Sequence, residues 1–101
     1  MELTTKQCSM LCSLDERQRP EDRTTYQLVA VLYARPALGV HKQYPQKYCL
    51  PTHRVLRSLE EAGLVRSGFV DIGASRRQLF RRFWSITREG KRLLKSIQEN
   101  H

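Results

Sequence analysis

The sequence contains few cysteines and no long apolar segment. Its three cysteines, Cys8, Cys12 and Cys49, are odd in number and lack the regular spacing of a disulfide framework. This pattern argues against a small secreted domain held together by disulfides. Neither a signal peptide nor a run of apolar residues long enough to cross a bilayer is present. We therefore expect an intracellular protein, cytoplasmic or associated with the nucleoid, with reduced thiols and no membrane partner.

The sequence also lacks the motifs of catalysis. It contains no carboxylate cluster, no glycine-rich phosphate loop and no nucleophile with a matching base, and its three histidines share no motif. Cys8 and Cys12 have the i, i+4 spacing of one helix face, and His41, His53 or Cys49 would have to complete a zinc site. No second paired motif supports such a site. We expect no enzymatic activity, no metal and no cofactor.

Acidic residues are scarce in the second half of the chain. The 101 residues, enough for one domain, carry 18 Lys and Arg against 10 Asp and Glu, a net charge of +8. Residues 1 to 35 are balanced, whereas residues 52 to 95 hold eleven basic residues, nine of them arginines, against four acidic ones. A guanidinium group suits phosphate oxygens and guanine edges. The segregated charge predicts a nucleic-acid partner, and the alternative is a basic surface that only keeps the protein in solution.

The first third of the chain predicts two helices. Thr4 to Asp15 reads as a short amphipathic helix capped by Thr4 or Thr5, and a polar, proline-broken connection follows up to Asp22. Thr24 or Thr25 caps a second, apolar helix that ends near Arg35, because Pro36 disfavours the helical conformation of its predecessor. Residues 1–22 are therefore predicted to be an N-terminal helical extension and linker, available for dimerisation, and residues 23–101 to be the main domain.

The middle of the chain predicts a short helix, a turn and a longer helix. The short helix begins at or just before Pro45, and Cys49-Leu50-Pro51 is predicted to form the turn. Pro51 to Ala62 is the longer helix, and Gly63 supplies the left-handed residue that ends it. Its buried side is predicted to carry Val55, Leu56, Leu59 and Ala62, and its solvent side His53, Arg54, Arg57, Ser58 and Glu61.

The last third predicts a hairpin and a final helix. Leu64 to Ile72 and Gln78 to Ile86 are β-prone runs separated by a basic tip, and Trp84 and Ile86 are expected on the buried face. Thr87 caps the last helix, whose apolar stripe is Leu93, Leu94 and Ile97. Within residues 23–101 the predicted order is helix, helix, helix, strand, strand, helix.

Two segments carry a resemblance to a known family. VLRSLEEAGLV, residues 55 to 65, looks like the end of a recognition helix entering a wing strand, and RFWSITREGKRLL, residues 82 to 94, looks like the second wing strand entering the next helix. In this order they resemble the winged helix-turn-helix transcriptional regulators of the PadR-like and MarR-like groups. The resemblance covers about half of the chain and implies an α+β fold with a helical core, a two-stranded wing and flanking terminal helices.

The resemblance implies a sequence-specific regulator of transcription that binds double-stranded DNA, most simply a small dimeric repressor. One helix would occupy the major groove, and the wing would lie over the adjacent backbone or minor groove. The homodimer would form through the segment Thr4 to Leu14, through the last helix, or through both. Oxidation of Cys49, at the predicted turn, would disturb docking, and the favoured alternative is a partly buried structural thiol without a redox role. The candidate DNA contacts are Thr52, His53, Arg54, Arg57, Ser58, Arg76, Arg77, Arg81 and Lys91.

A second interpretation keeps the winged helix but changes the partner. In that case the basic face binds RNA or an acidic protein, and duplex DNA is bound only weakly and without regard to sequence.

Overall fold

A computed structural model of the chain describes residues 2–36, 42–73 and 77–99. Within these ranges the fold is α+β, with four α-helices and one antiparallel hairpin. A single 3₁₀ turn, Pro20–Arg23, precedes the second helix. The elements in chain order are helix α1 (Thr5–Glu16), helix α2 (Thr25–Tyr33), helix α3 (Gln46–Glu61), strand β1 (Val65–Asp71), strand β2 (Phe80–Ile86) and helix α4 (Arg88–Glu99).

The predicted caps of the first two helices are confirmed. Thr4 caps α1 in a capping box: its hydroxyl accepts from the backbone N–H of Gln7, and the Gln7 side chain accepts from the backbone N–H of Thr4. Thr24 caps α2 by accepting from the N–H of Gln27. The predicted connection up to Asp22 is partly wrong, because α1 continues to Glu16 and a 3₁₀ turn begins at Pro20. The last turn of α1 and the 3₁₀ turn therefore supply backbone hydrogen bonds in a segment that we expected to be irregular.

The predicted turn at Cys49-Leu50-Pro51 is wrong. Residues from Gln46 to Glu61 form one continuous helix that contains Pro51. Proline has no backbone N–H, so a helix that contains it loses one backbone hydrogen bond and must accommodate the ring against the preceding turn. The buried residues of α3 lie beyond that point: Thr52, Leu56 and Leu59 are all fully buried. Their burial outweighs the local preference of proline to begin a helix.

The core joins all four helices to the hairpin. Trp84 lies at its centre with no exposed surface, together with Leu28 of α2, Leu56 of α3 and Leu94 of α4. Helix α1 contributes Met10, Leu11 and Leu14 to the same cluster, all essentially buried. The segment that the sequence analysis assigned to an extension thus packs into the core. The division of the chain at residue 22 itself stays a prediction.

The hairpin has the predicted strands and a fixed register. Trp84 is paired with Ser67, and Phe80 with Asp71. The Trp84 indole N–H donates to the Thr25 hydroxyl at 3.0 Å, and the Arg23 side chain donates to the Trp84 carbonyl at 2.9 Å. These bonds tie β2 to the start of α2.

Short connections on either side of the hairpin also follow the prediction. Gly63 ends α3 with φ 78°, and the N–H of Leu64 donates to the Leu59 carbonyl. The Thr87 hydroxyl accepts from the N–H of Gly90 at the start of α4. A β-carbon on Gly90 would lie 2.2 Å from the Leu64 carbonyl oxygen, so this close approach of α4 to the hairpin requires glycine.

No helix of the described ranges has both the length and the hydropathy needed to cross a membrane.

Leu11→Ala tests whether α1 is part of the core. Removal of a fully buried leucine side chain should lower the free energy of unfolding by about 2–5 kcal/mol, measured by urea denaturation. Ser9→Ala is the matched control, because Ser9 lies on the exposed side of the same helix. A loss below about 0.5 kcal/mol for Leu11→Ala, in the range of surface substitutions, would contradict this packing.

Candidate nucleic-acid interface

Helix α3 presents a polar, mainly cationic stripe to solvent. Lys47, Leu50, Arg54, Arg57 and Glu61 are exposed and recur at intervals of three and four residues, which places them on one side of the helix. The opposite side carries the buried residues of α3 and faces the core. The predicted division of this helix into a core side and a solvent side is therefore confirmed for Arg54, Arg57 and Glu61.

Two of the candidate contacts on α3, Thr52 and Ser58, are less exposed than expected. Thr52 was placed on the solvent face, but it is fully buried and its hydroxyl donates to the Tyr48 carbonyl at 2.8 Å. Thr52 lies one turn before Leu56, on the side of α3 that faces the core. Ser58 is half-buried, donating to the Val55 carbonyl at 2.6 Å and accepting from the Gln7 side chain at 3.1 Å. Thr52 is therefore withdrawn as a candidate contact.

His53 turns towards the hairpin. Its ring lies edge-on against Trp84, with ring centroids 5.5 Å apart and an interplanar angle of 67°. Burial lowers the pKa of His53, and the positive charges of Arg82 and Arg57 lower it further, whereas Glu60 opposes them. These effects favour the neutral imidazole, which packs against Trp84 without adding to the positive charge of the surface.

Arg57 and Glu60 link α3 to the hairpin. The Arg57 guanidinium forms an ion pair with the Glu60 carboxylate, which also accepts from the Ser67 hydroxyl of β1 at 2.9 Å. The Ser67 hydrogen bond is the main reason that the pKa of Glu60 is lowered, and the Arg57 hydrogen bond and charge act in the same direction. Arg57 is thus held in place and partly neutralised. Arg54 has no partner within the described residues and remains a free guanidinium.

Asp71 organises the base of the hairpin loop. Its carboxylate accepts from the backbone N–H groups of Leu79 at 2.9 Å and Gly73 at 2.8 Å. These two bonds lower the pKa of Asp71, the Leu79 bond more than the Gly73 bond. Arg77, in the described part of the loop, is exposed. Arg76, predicted as its companion, lies outside the described residues.

The two arginines of β2 pack against aromatic rings. The Arg81 guanidinium lies 5.3 Å from the centre of the Tyr26 ring, and the Arg82 guanidinium lies 5.4 Å from Phe69 and 5.8 Å from Trp84. Arg81 was predicted as a backbone contact, and it is half-buried instead of fully solvated. Lys91 is exposed but lines a separate depression with Asp15 and Arg23, so its contribution to the same surface stays a prediction.

A groove of about 350 Å³ separates the first half of α3 from β2. We call it the helix–hairpin groove. Phe80 and Leu50 are exposed to 55% and 46%, unusual for large apolar side chains, and both line it. Its lining consists of Thr25, Tyr26, Gln46, Cys49, Leu50, His53, Phe80, Arg81 and Arg82. Within the described structure no carboxylate contributes to this wall.

The cysteines occupy ordinary positions. All three are free and half-buried, and Cys49 lies inside α3 and not at a turn, with its thiol donating to the Tyr44 carbonyl at 3.4 Å. Burial raises the pKa of Cys49, which favours the protonated, less reactive thiol. Among the described residues, no three His, Cys, Asp or Glu side chains are arranged to hold a metal ion.

Comparison with known proteins yields no relative: no family model, curated protein or solved structure matches the chain. The candidate interface therefore depends on the geometry and charge of its own residues. The role of Asp71 was not predicted, although an aspartate two residues before a glycine is a common turn signal. The groove and the contact of Arg81 with Tyr26 had no signal in the sequence, because each joins elements far apart along the chain.

Acidification should weaken the fold through His53. Its pKa is lowered in the folded state, so below about pH 6.5, the ordinary value, the unfolded chain takes up the proton more readily. We expect the free energy of unfolding to be highest above that pH and to fall as the pH drops through it. In urea unfolding measured at a series of pH values, His53→Gln should weaken the dependence of the free energy of unfolding on pH. An unchanged slope in the variant would assign the effect to other groups.

Asp71→Ala should loosen the base of the hairpin loop, since it removes both carboxylate hydrogen bonds. Amide hydrogen exchange at Leu79 and Gly73 should become faster, while exchange within α3 stays unchanged. Asp71→Asn retains an oxygen acceptor and should show a smaller effect. Equal exchange in wild type and Asp71→Ala would show that the carboxylate does not hold the loop.

Proposed function

We propose that this protein is a winged helix-turn-helix regulator of transcription that binds double-stranded DNA. In this proposal α3 is the recognition helix and the hairpin is the wing. The observation that carries it is the exposed stripe of α3, with Arg54 free and Arg57 one turn further on, beside a hairpin whose loop carries Arg77. The order of elements is compatible with a winged helix.

The stripe has the dimensions and chemistry that major-groove recognition requires. The groove of B-DNA is about 12 Å wide and admits a single α-helix. Arg54 has five N–H donors and no partner among the residues that the structure describes, so it can donate two parallel hydrogen bonds to the O6 and N7 acceptors of guanine. We therefore assign Arg54 the leading role in reading bases, with Lys47 on the same stripe as a phosphate contact.

Arg57 would contribute less than Arg54 despite its position. Its ion pair with Glu60 would have to be shared with or exchanged for a DNA contact, and the anionic Glu60 repels nearby phosphates. This arrangement suits orientation of a phosphate contact more than tight binding. Arg77 extends the positive surface to the adjacent backbone or minor groove.

A dimer would place two copies of α3 on a two-fold symmetric site. Of the apolar side chains available for pairing, Leu11, Leu14 and Leu94 are already buried in the core of one subunit. Leu93 and Ile97 of α4 retain partial exposure. We therefore place the proposed dimer contact on α4, and a role as repressor would follow from occlusion of the bound promoter.

A second candidate function keeps the fold and changes the partner to RNA or to a protein. The exposed apolar side chains Leu50, Phe69 and Phe80 favour it, because such residues beside a basic surface are typical of contacts other than phosphate.

Arg54→Gln should weaken binding to the preferred duplex by about 1–3 kcal/mol and relax selectivity at one base position, as expected for loss of a bidentate guanine contact. Fluorescence anisotropy at fixed salt, with the preferred duplex and a scrambled duplex, measures both effects. The matched control is Arg92→Gln, which removes the same charge from an exposed position on α4.

Arg92→Gln should leave affinity within about 0.5 kcal/mol of wild type, in the range of a distant surface charge. Equal losses for the two variants, or an equal loss on both duplexes for Arg54→Gln, would contradict base reading by Arg54.

A further inference from the structure

The helix–hairpin groove contains an unsatisfied cationic donor. The Arg81 side chain lies along the Tyr26 ring and donates through one terminal nitrogen to the Phe80 carbonyl at 3.2 Å. Its Nε is buried and has no hydrogen-bond partner, the only such side-chain nitrogen or oxygen in the described part of the chain. A buried donor without a partner is costly, so the guanidinium of Arg81, a residue of the groove wall, is incompletely compensated by the protein around it.

The walls of the groove combine positive charge with flat apolar surfaces. Arg81 and Arg82 supply the charge, and the described part of the lining contains no carboxylate to offset it. Phe80, Tyr26 and Leu50 supply the apolar surfaces. A ligand that fits must therefore bring an anionic oxygen and a planar or apolar body together. The groove has a volume of about 350 Å³, which lies at the lower end of the range for small-ligand sites.

We propose that the helix–hairpin groove accepts one unpaired nucleotide of a nucleic acid bound along α3, with its base against Phe80 and Leu50 and its phosphate at Arg81 and Arg82. The inference rests on the proposed function, because the unpaired nucleotide belongs to a strand of the DNA duplex that α3 binds. Leu50 belongs both to the exposed stripe of α3 and to the groove wall, so the two surfaces are continuous.

A nucleotide suits these walls better than an acidic peptide does. Every base offers a π-face that stacks on an aromatic ring or a guanidinium group, and the phosphate beside it is a permanent anion. The chain carries a net charge of +8, and the cationic stripe adjoining the groove already favours a polyanion. An unpaired nucleotide also enters without the energy needed to extrude a paired one.

The test compares three duplexes of one sequence: fully paired, with a single bulged nucleotide, and with an abasic unit at the bulge. Anisotropy titrations with wild-type protein should give about tenfold tighter binding of the bulged duplex than of the paired one, as expected for one base stacked on an aromatic side chain. The abasic bulge retains the phosphate and removes the base. It should lose that preference.

Phe80→Ala should also abolish the preference for the bulge, with little change in affinity for the paired duplex. The matched control is Phe69→Ala, because Phe69 is 66% exposed on the same face of the hairpin but does not line the groove. Phe69→Ala should keep the preference. Thermal unfolding of both variants checks that the fold is retained.

Equal binding of paired and bulged duplexes, or equal loss of the preference in Phe69→Ala and Phe80→Ala, would overturn the inference and leave the proposed function standing. Failure of wild-type protein to bind any of the three duplexes would refute the proposed function as well. Displacement of the bulged duplex from the groove by an acidic, phenylalanine-containing peptide, with no displacement by a single-stranded oligonucleotide, would assign the groove to a protein and also overturn the inference.

Discussion

Burial of Trp84 is the constraint on which the rest of the structure depends. The indole is fully buried among residues of the helices, its N–H donates to Thr25 of α2, and its ring contacts His53 of α3. A strand that carries this residue can lie in only one register against the helices, because a shift by one residue would turn Trp84 outwards. The position of the hairpin relative to α3, and with it the shape of the groove, follows from this single side chain.

The arginines in the second half of the chain fall into two groups. Some are held by contacts with other side chains, and others extend into solvent. Arg82 and Arg81 lie on aromatic rings, and Arg57 is paired with Glu60, whereas Arg54 and Arg77 are exposed without such a partner in the described structure. Charge counted along the sequence therefore does not show which guanidinium groups are held in place by the protein and which extend freely into solvent. Arg81 joins the hairpin to α2 through Tyr26, and Arg82 packs within the hairpin. Glu60, paired with Arg57, joins α3 to the hairpin through Ser67. Such fixed contacts are what a rigid recognition surface requires.

Local signals in the sequence predicted local structure well. The caps at Thr4, Thr24 and Thr87, the helix end at Gly63 and the two strands all depend on residues close together along the chain. Errors arose where distant packing decides the outcome. Pro51 was taken as a helix start, but burial of the residues after it keeps α3 continuous.

The candidate site was predictable in outline and not in detail. Helical periodicity correctly exposed Arg54 and Arg57. Thr52, four residues before Leu56 and seven before Leu59, lies on their buried side, so its assignment to the solvent side was wrong. The orientation of His53 towards Trp84 and the existence of the groove depend on contacts between α2, α3 and β2. No spacing within one element contains that information.

The central claim is that α3 reads a base sequence, and selection of random duplexes by the purified protein at near-physiological salt tests it most directly. Sequencing of the retained pool should reveal an inverted repeat whose half-sites lie about one helical turn apart, as expected of a dimer with a recognition helix in each half-site. Retention without enrichment, falling steeply as salt increases, would mean that only phosphates are bound and would contradict sequence reading by α3.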